Sequence, residues 1–88
     1  MKKVLITGVA GLIGSHLADK MLDAGYRVTG VDNMLAGRMD NIKPALRSKA
    51  FAFKRLDISD KAAVRKGLGG AKFDIIIHMA ASKKIGES

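Results

Sequence analysis

The chain has 88 residues, no cysteine, five per cent aromatic residues and a formal net charge of +8. That length bounds it to at most one small domain with a modest core, and the lack of cysteine excludes a disulfide framework and any cysteine-ligated metal site. Sixteen basic against eight acidic side chains raise the question of an anionic partner such as nucleic acid, lipid or phosphate.

Most of the excess falls in residues 41–88, as singles or pairs such as Lys54-Arg55, Arg65-Lys66 and Lys83-Lys84 in expected helices and loops. Few aromatic rings are present on which bases could stack. A solvated polar face is therefore expected, and no nucleic-acid partner. Lys2-Lys3 followed by an apolar run has the outline of a signal peptide. However, Thr7, Gly8, Gly11 and Gly14 interrupt the run, and Ser15-His16-Leu17-Ala18-Asp19 is a poor cleavage region. No apolar run approaches the length needed to span a bilayer, so no membrane partner is expected and the expected location is cytoplasmic.

Val4-Leu5-Ile6 is short, β-rich and apolar without alternation, the pattern of a parallel strand covered on both faces. After the glycine-rich stretch 7–14, Leu12/Ile13, Leu17, Met21 and Ala24 recur at helical spacing, with Asp19, Lys20 and Asp23 off that stripe. Gly25 is placed to end this helix in the left-handed conformation. A second strand is expected over 27–31, ending at Asp32. Within 33–48, Gly37 and Asn41 suggest turns, and Pro44 opposes one long helix. A turn near 38–42 and a helix with Pro44 as its first residue are expected.

Phe51-Ala52-Phe53 reads as a third strand continuing to Leu56. Ser59 is the expected N-cap of a helix over 60–66, broken by Gly67, Gly69 and Gly70. Residues 73–78 form the most apolar strand, expected to be central. The order β-α-β-α-β-α-β with short connections implies the α/β class: a parallel sheet, helices on both faces and right-handed crossovers.

Thr7-Gly8-Val9-Ala10-Gly11-Leu12-Ile13-Gly14 thus joins a strand to a helix N-terminus. A helix N-terminus offers unpaired N–H groups and the positive end of its dipole, which suits a pyrophosphate. Gly8 allows a tight turn, Gly11 lets backbone approach the anion, and Gly14 lets the helix pack on the strand. The spacing Gly-x-x-Gly-x-x-Gly is one residue longer in its first interval than the common dinucleotide fingerprint. A second strand ending in an acid strengthens the motif. Asp32 can accept hydrogen bonds from adenosine ribose hydroxyls, and the same carboxylate would repel a 2′-phosphate, which favours NAD over NADP. Read without the glycines, Asp32 is an ordinary strand-end residue, and Arg38 is either a solvent-facing cation or a group within reach of a 2′-phosphate.

Together, Thr7-Gly8-x-x-Gly11-x-x-Gly14-Ser15-His16-Leu17, Val31-Asp32-Asn33, Leu56-Asp57-Ile58 and His78-Met79-Ala80-Ala81 resemble the extended short-chain dehydrogenase/reductase family. More narrowly they resemble its NAD-dependent nucleotide-sugar epimerases and dehydratases. Residues 82–88 are most similar to the UDP-glucose 4-epimerases.

The resemblance implies a partial Rossmann fold with strand order 3-2-1-4, residues 1–88 being the N-terminal part of an NAD-binding domain. It places Gly8, Gly11, Leu12, Ile13 and Gly14 along the pyrophosphate, and Asp32, Asn33, Met34, Leu35, Ala36 and Gly37 around the adenosine ribose. Asp57 and Ile58 would meet the adenine, and Met79, Ala80 and Ala81 would pass beside the cofactor. Lys83 would reach the cofactor and the sugar-nucleotide region. His78 and His16 are expected to be structural, and no metal site is expected.

The family's catalytic Ser or Thr and Tyr-x-x-x-Lys pair have no counterpart here. The one tyrosine, Tyr26, is followed four residues later by Gly30. The resemblance therefore implies a cofactor-binding portion without catalytic residues, inactive alone; in the order 3-2-1-4 the apolar strand 73–78 becomes an exposed edge, so the portion is expected to be prone to oligomerise. The alternatives are a non-catalytic dinucleotide-binding module and a nucleotide-sugar 4,6-dehydratase of the same family.

Overall fold

The computed structural model describes residues 2–35 and 37–79. The elements run β1 (Lys3–Thr7), α1 (Leu12–Asp23), β2 (Arg27–Asp32), α2 (Met39–Leu46), β3 (Phe51–Arg55), α3 (Lys61–Leu68) and β4 (Ile75–His78). The four strands form one sheet in the order β3-β2-β1-β4. Every neighbouring pair is parallel, with Leu5 opposite both Thr29 and Ile76, and Thr29 opposite Ala52.

Side chains alternate across a strand, and here the alternation sorts the two faces. Val4, Ile6, Val28 and Phe51 join Ala18 of α1 and Ile42 and Ala45 of α2 in the buried core. Leu17, Met21, Ile75 and Ile77 pack against its margin. Each fully buried aliphatic side chain there contributes about 1.5–3 kcal/mol relative to exposure. The opposite face is thinner. Leu5, Phe73 and Ile76 line an open cavity of about 490 Å³ with Ile58 and the α3 residues Val64 and Leu68. No residue of α3 is buried.

The strand order and the layered architecture are as expected, and three local expectations need correction. Helix α2 begins at Met39 and carries Pro44 inside it. Burial decides this: Ile42 and Ala45, one turn apart, are 0 % and 1 % exposed, and anchoring both in the core requires helix before the proline. Asp60, not Ser59, caps α3, its carboxylate accepting the Ala63 N–H at 3.1 Å. Ser59 is held instead by Asp57. Gly67 lies within α3, which ends at Gly69 with φ +57°. Strand β4 is an edge of the described sheet, as the order 3-2-1-4 implies for a strand whose apolarity alone suggests the centre. Gly25, with φ +93°, follows the end of α1 in the expected left-handed conformation.

Candidate dinucleotide site

Because all strands are parallel, the segments that follow them meet at one edge of the sheet, where ligands of such folds bind. The chain leaves β1 through Gly8, at φ +72°. The Gly8 N–H donates to the Val31 carbonyl at 2.8 Å, which ties the turn to the end of β2. Gly11 is the N-cap of α1 and supplies no side-chain cap, and no acid stands in the first turn. Among the described residues, the N–H groups of Leu12, Ile13 and Gly14 have no protein acceptor. The Leu12 and Ile13 side chains are exposed beside them. These are the unpaired donors and the positive dipole end that an anion needs.

Gly14 lets this happen sterically. A Cβ there would overlap the Gly8 carbonyl oxygen, so α1 can approach the turn only with glycine at this position. Gly37 closes the other side, where an added Cβ would lie 2.6 Å from the Ala10 Cβ and 2.9 Å from Asp32 Oδ2.

Asp32 is 8 % exposed. Its Oδ2 accepts the Ala10 N–H at 2.9 Å and its Oδ1 accepts the Met34 N–H at 2.8 Å. Each carboxylate oxygen retains acceptor capacity beyond one bond, so these contacts orient the group and leave it able to receive hydroxyls. Met34 takes a left-handed conformation, φ +67°, and Asn33 Oδ1 accepts the Leu35 N–H at 3.0 Å. The loop after β2 is therefore folded back over Asp32.

After β3, Asp57 is exposed and accepts both the Ser59 hydroxyl, at 2.7 Å, and the Ser59 N–H, at 2.9 Å. The hydroxyl first, then the N–H, hold its carboxyl below the ordinary carboxylate value. A depressed pKa stabilises the fold above the unfolded value, and this small contribution is lost as pH falls through the folded value. Ile58 turns to the cavity under α3.

After β4, the Met79 N–H lies 3.0 Å from the Thr7 carbonyl and 3.1 Å from Thr7 Oγ1. His78 Nδ1 and Thr7 Oγ1 are 2.8 Å apart, so His78 links β4 to β1. His16 is exposed on α1. Ala36, Ala80, Ala81 and Lys83 lie outside the described residues.

Sequence reasoning missed Asn41. Its Nδ2 donates to the Ala10 carbonyl at 2.8 Å, from the first turn of α2. The available signal was an asparagine, a poor helix former, at a position then read as a turn. No group of three acidic or histidine side chains among the described residues is placed to hold a metal. No helix among them is long and apolar enough to cross a membrane.

A family model described as GDP-mannose 4,6 dehydratase matches residues 5–88. The chain belongs to this family. Its motifs are those of the nucleotide-sugar epimerases and dehydratases within the extended short-chain dehydrogenases/reductases. It is 40% identical over 93 residues to the UDP-glucose 4-epimerase of Drosophila melanogaster, a match covering 97% of this chain and 27% of that protein. It is 39% identical over 93 residues to UDP-glucose 4-epimerase 2 of Oryza sativa subsp. japonica, covering 100% of this chain and 23% of the relative.

Among solved structures, the Bordetella bronchiseptica enzyme WbmH in complex with NAD+ matches with TM-score 0.82 and 40% identity, over 96% of this chain and 27% of that one. The UDP-Glc/GlcNAc 4-epimerase of Campylobacter jejuni matches with TM-score 0.85 and 36% identity, over 100% of this chain and 27% of that one. The chain spans about a quarter of the length of the curated relatives it matches.

Proposed function

We propose that these residues form the dinucleotide-binding part of a nucleotide-sugar epimerase resembling the UDP-glucose 4-epimerases, and that they hold the adenosine and pyrophosphate end of NAD. The observation that carries the reading is the convergence of two features at one sheet edge. The unpaired N–H groups of Leu12, Ile13 and Gly14 stand beside a carboxylate, Asp32, already oriented by two backbone donors. Support also comes from similar structures, the WbmH enzyme and a Thermus thermophilus UDP-glucose 4-epimerase, both complexes with NAD.

In this reading, Gly8, Gly11, Leu12, Ile13 and Gly14 hold the pyrophosphate, while Asp32, Asn33, Met34, Leu35, Ala36 and Gly37 surround the adenosine ribose. Asp57 and Ile58 meet the adenine. Met79, Ala80 and Ala81 pass beside the cofactor, and Lys83 reaches toward the sugar nucleotide. When bound, NAD supplies an acceptor for hydride from a sugar hydroxyl. The Tyr-x-x-x-Lys pair that would assist that step is not in this sequence. Binding without turnover follows. The nucleotide-sugar substrate and a homo-oligomer belong to the longer enzyme, and the cytoplasm is its proposed location. The family model's description favours a second reading, a nucleotide-sugar 4,6-dehydratase, with the same cofactor site.

Calorimetric titration of the chain with NAD, NADP and AMP tests this. NAD is expected to bind more tightly than NADP, with no conversion of UDP-glucose. Tighter NADP would remove the role given to Asp32, and no binding of any of the three would overturn the site itself.

A further inference from the structure

The Ala10 peptide lies at the junction of three segments. It is fully buried. Its N–H donates to Asp32 Oδ2 at the end of β2. Its carbonyl accepts twice, from the Arg38 N–H at 3.0 Å and from Asn41 Nδ2 at 2.8 Å. A carbonyl oxygen has two lone pairs, so both are engaged toward α2.

That matters because the Ala10 carbonyl is also the oxygen four residues before Gly14, the natural acceptor for the Gly14 N–H were α1 one residue longer. Ser15, the next residue, does bond four residues back, to the Gly11 carbonyl at 2.9 Å. The Gly14 N–H has no such partner among the described residues.

We propose that Asn41 is a positioning residue of the dinucleotide site. By drawing the Ala10 carbonyl toward α2, its carboxamide stops α1 from winding back one residue and keeps the Gly14 N–H open for the pyrophosphate beside those of Leu12 and Ile13, which a helix start leaves unpaired in any case. The proposal rests on the NAD reading above and adds a residue to it. Asn41 touches no ligand itself; it acts through Ala10.

Chemistry singles out Asn41 from the rest of the latch. The Arg38 donor is backbone and survives substitution, whereas the Nδ2 donor belongs to this side chain alone. Asn41→Asp keeps shape and volume but replaces the donor with an oxygen facing the Ala10 carbonyl oxygen, so the pair changes from attraction to repulsion. The effect should fall on ligands with phosphate and spare the nucleoside, which is held by Asp32 and the loop after β2.

The test uses amide NMR on the whole chain. In wild type without ligand, the Ala10 and Arg38 amides should be protected from exchange, while Leu12, Ile13 and Gly14 exchange quickly and become protected when NAD is added. In Asn41→Asp, NAD and ADP should bind about tenfold more weakly, the loss of one hydrogen bond, with adenosine within about twofold of wild type. Unchanged NAD affinity, or equal losses for NAD and adenosine, would overturn the proposal. Should the variant not fold, wild-type exchange decides: a Gly14 amide protected before NAD is added also overturns it. Wild type that binds no NAD brings down the parent reading, and the inference with it, whereas wild type that binds NAD with a protected Gly14 amide brings down the inference alone.

Discussion

A Cβ at position 14 would overlap the Gly8 carbonyl oxygen and crowd the Gly8 carbonyl carbon and Val9 Cα at 3.1 Å. These are backbone atoms, and none can rotate aside. Gly14 is helical, and helix propensity alone favours alanine there by about 1 kcal/mol. Forcing an atom into packed surroundings costs about 1–3 kcal/mol, so the overlap outweighs the propensity and displaces the first turn of α1. Gly14→Ala is expected to lower stability to urea by a net of up to about 2 kcal/mol and to weaken NAD binding. Gly67 in α3 is the matched comparison. There the added Cβ meets only the end of the Leu56 side chain, which can turn away. Gly67→Ala should be neutral or stabilising by up to about 1 kcal/mol. Equal losses at both positions would show that steric overlap is not what fixes glycine at position 14.

Helix α2 is where tertiary packing overrides local preference. Pro44 lacks an N–H and its ring crowds the carbonyl four residues back, at a cost near 3 kcal/mol in a helix interior. The helix persists because Ile42 and Ala45 are anchored in the core, and removing an aliphatic side chain such as Ile42 costs about 2–5 kcal/mol. The exposed Asp40–Lys43 pair at 3.2 Å adds at most about 1 kcal/mol. Pro44→Ala should therefore raise stability by about 1–2 kcal/mol, less than the full interior penalty because proline also restricts the unfolded chain. A melting temperature lowered by the substitution would count against this account. The same contrast explains what could be read from the sequence. Strands β1 and β2, helix α1 and the glycine turn follow from apolar runs, helical spacing and glycine positions that agree with the tertiary fold. The expectation for α2 followed proline, whose local signal opposed burial. The edge position of β4 came from the strand order and not from its apolarity, which reports that a strand can be covered and not which neighbours cover it. Asp32 was legible as a strand-end acid. The Ala10–Asn41 latch was not, since an alanine peptide carries no side-chain signal and its partner lies 31 residues on.

At the scale of the molecule the two faces of the sheet are unequally covered. Helices α1 and α2 bury one face, while the other holds Leu5 and Ile76 beneath a helix with no buried residue and an open cavity. Strand β4 pairs only with β1 among the described residues, and Ile76 is 64% exposed. An apolar edge strand with free N–H and C=O groups is a template for pairing with another chain. As an 88-residue polypeptide, the protein is expected to self-associate through this edge, with a sedimentation coefficient that rises with concentration. Ile76→Lys should shift it toward monomer, because a charge on an edge strand opposes pairing. It should alter stability by less than about 0.5 kcal/mol, because the side chain it replaces is already largely in water. NAD acts differently. At about one hundred times its dissociation constant it should stabilise the fold by about 2.7 kcal/mol without changing the edge, so it should raise the melting temperature and leave the association intact. A concentrated wild-type sample that stays monomeric and melts in one sharp transition would show that β4 and the thin face need no partner. The unequal burial of Leu5 and Ile76, neighbours in register across one ladder, would then need another explanation.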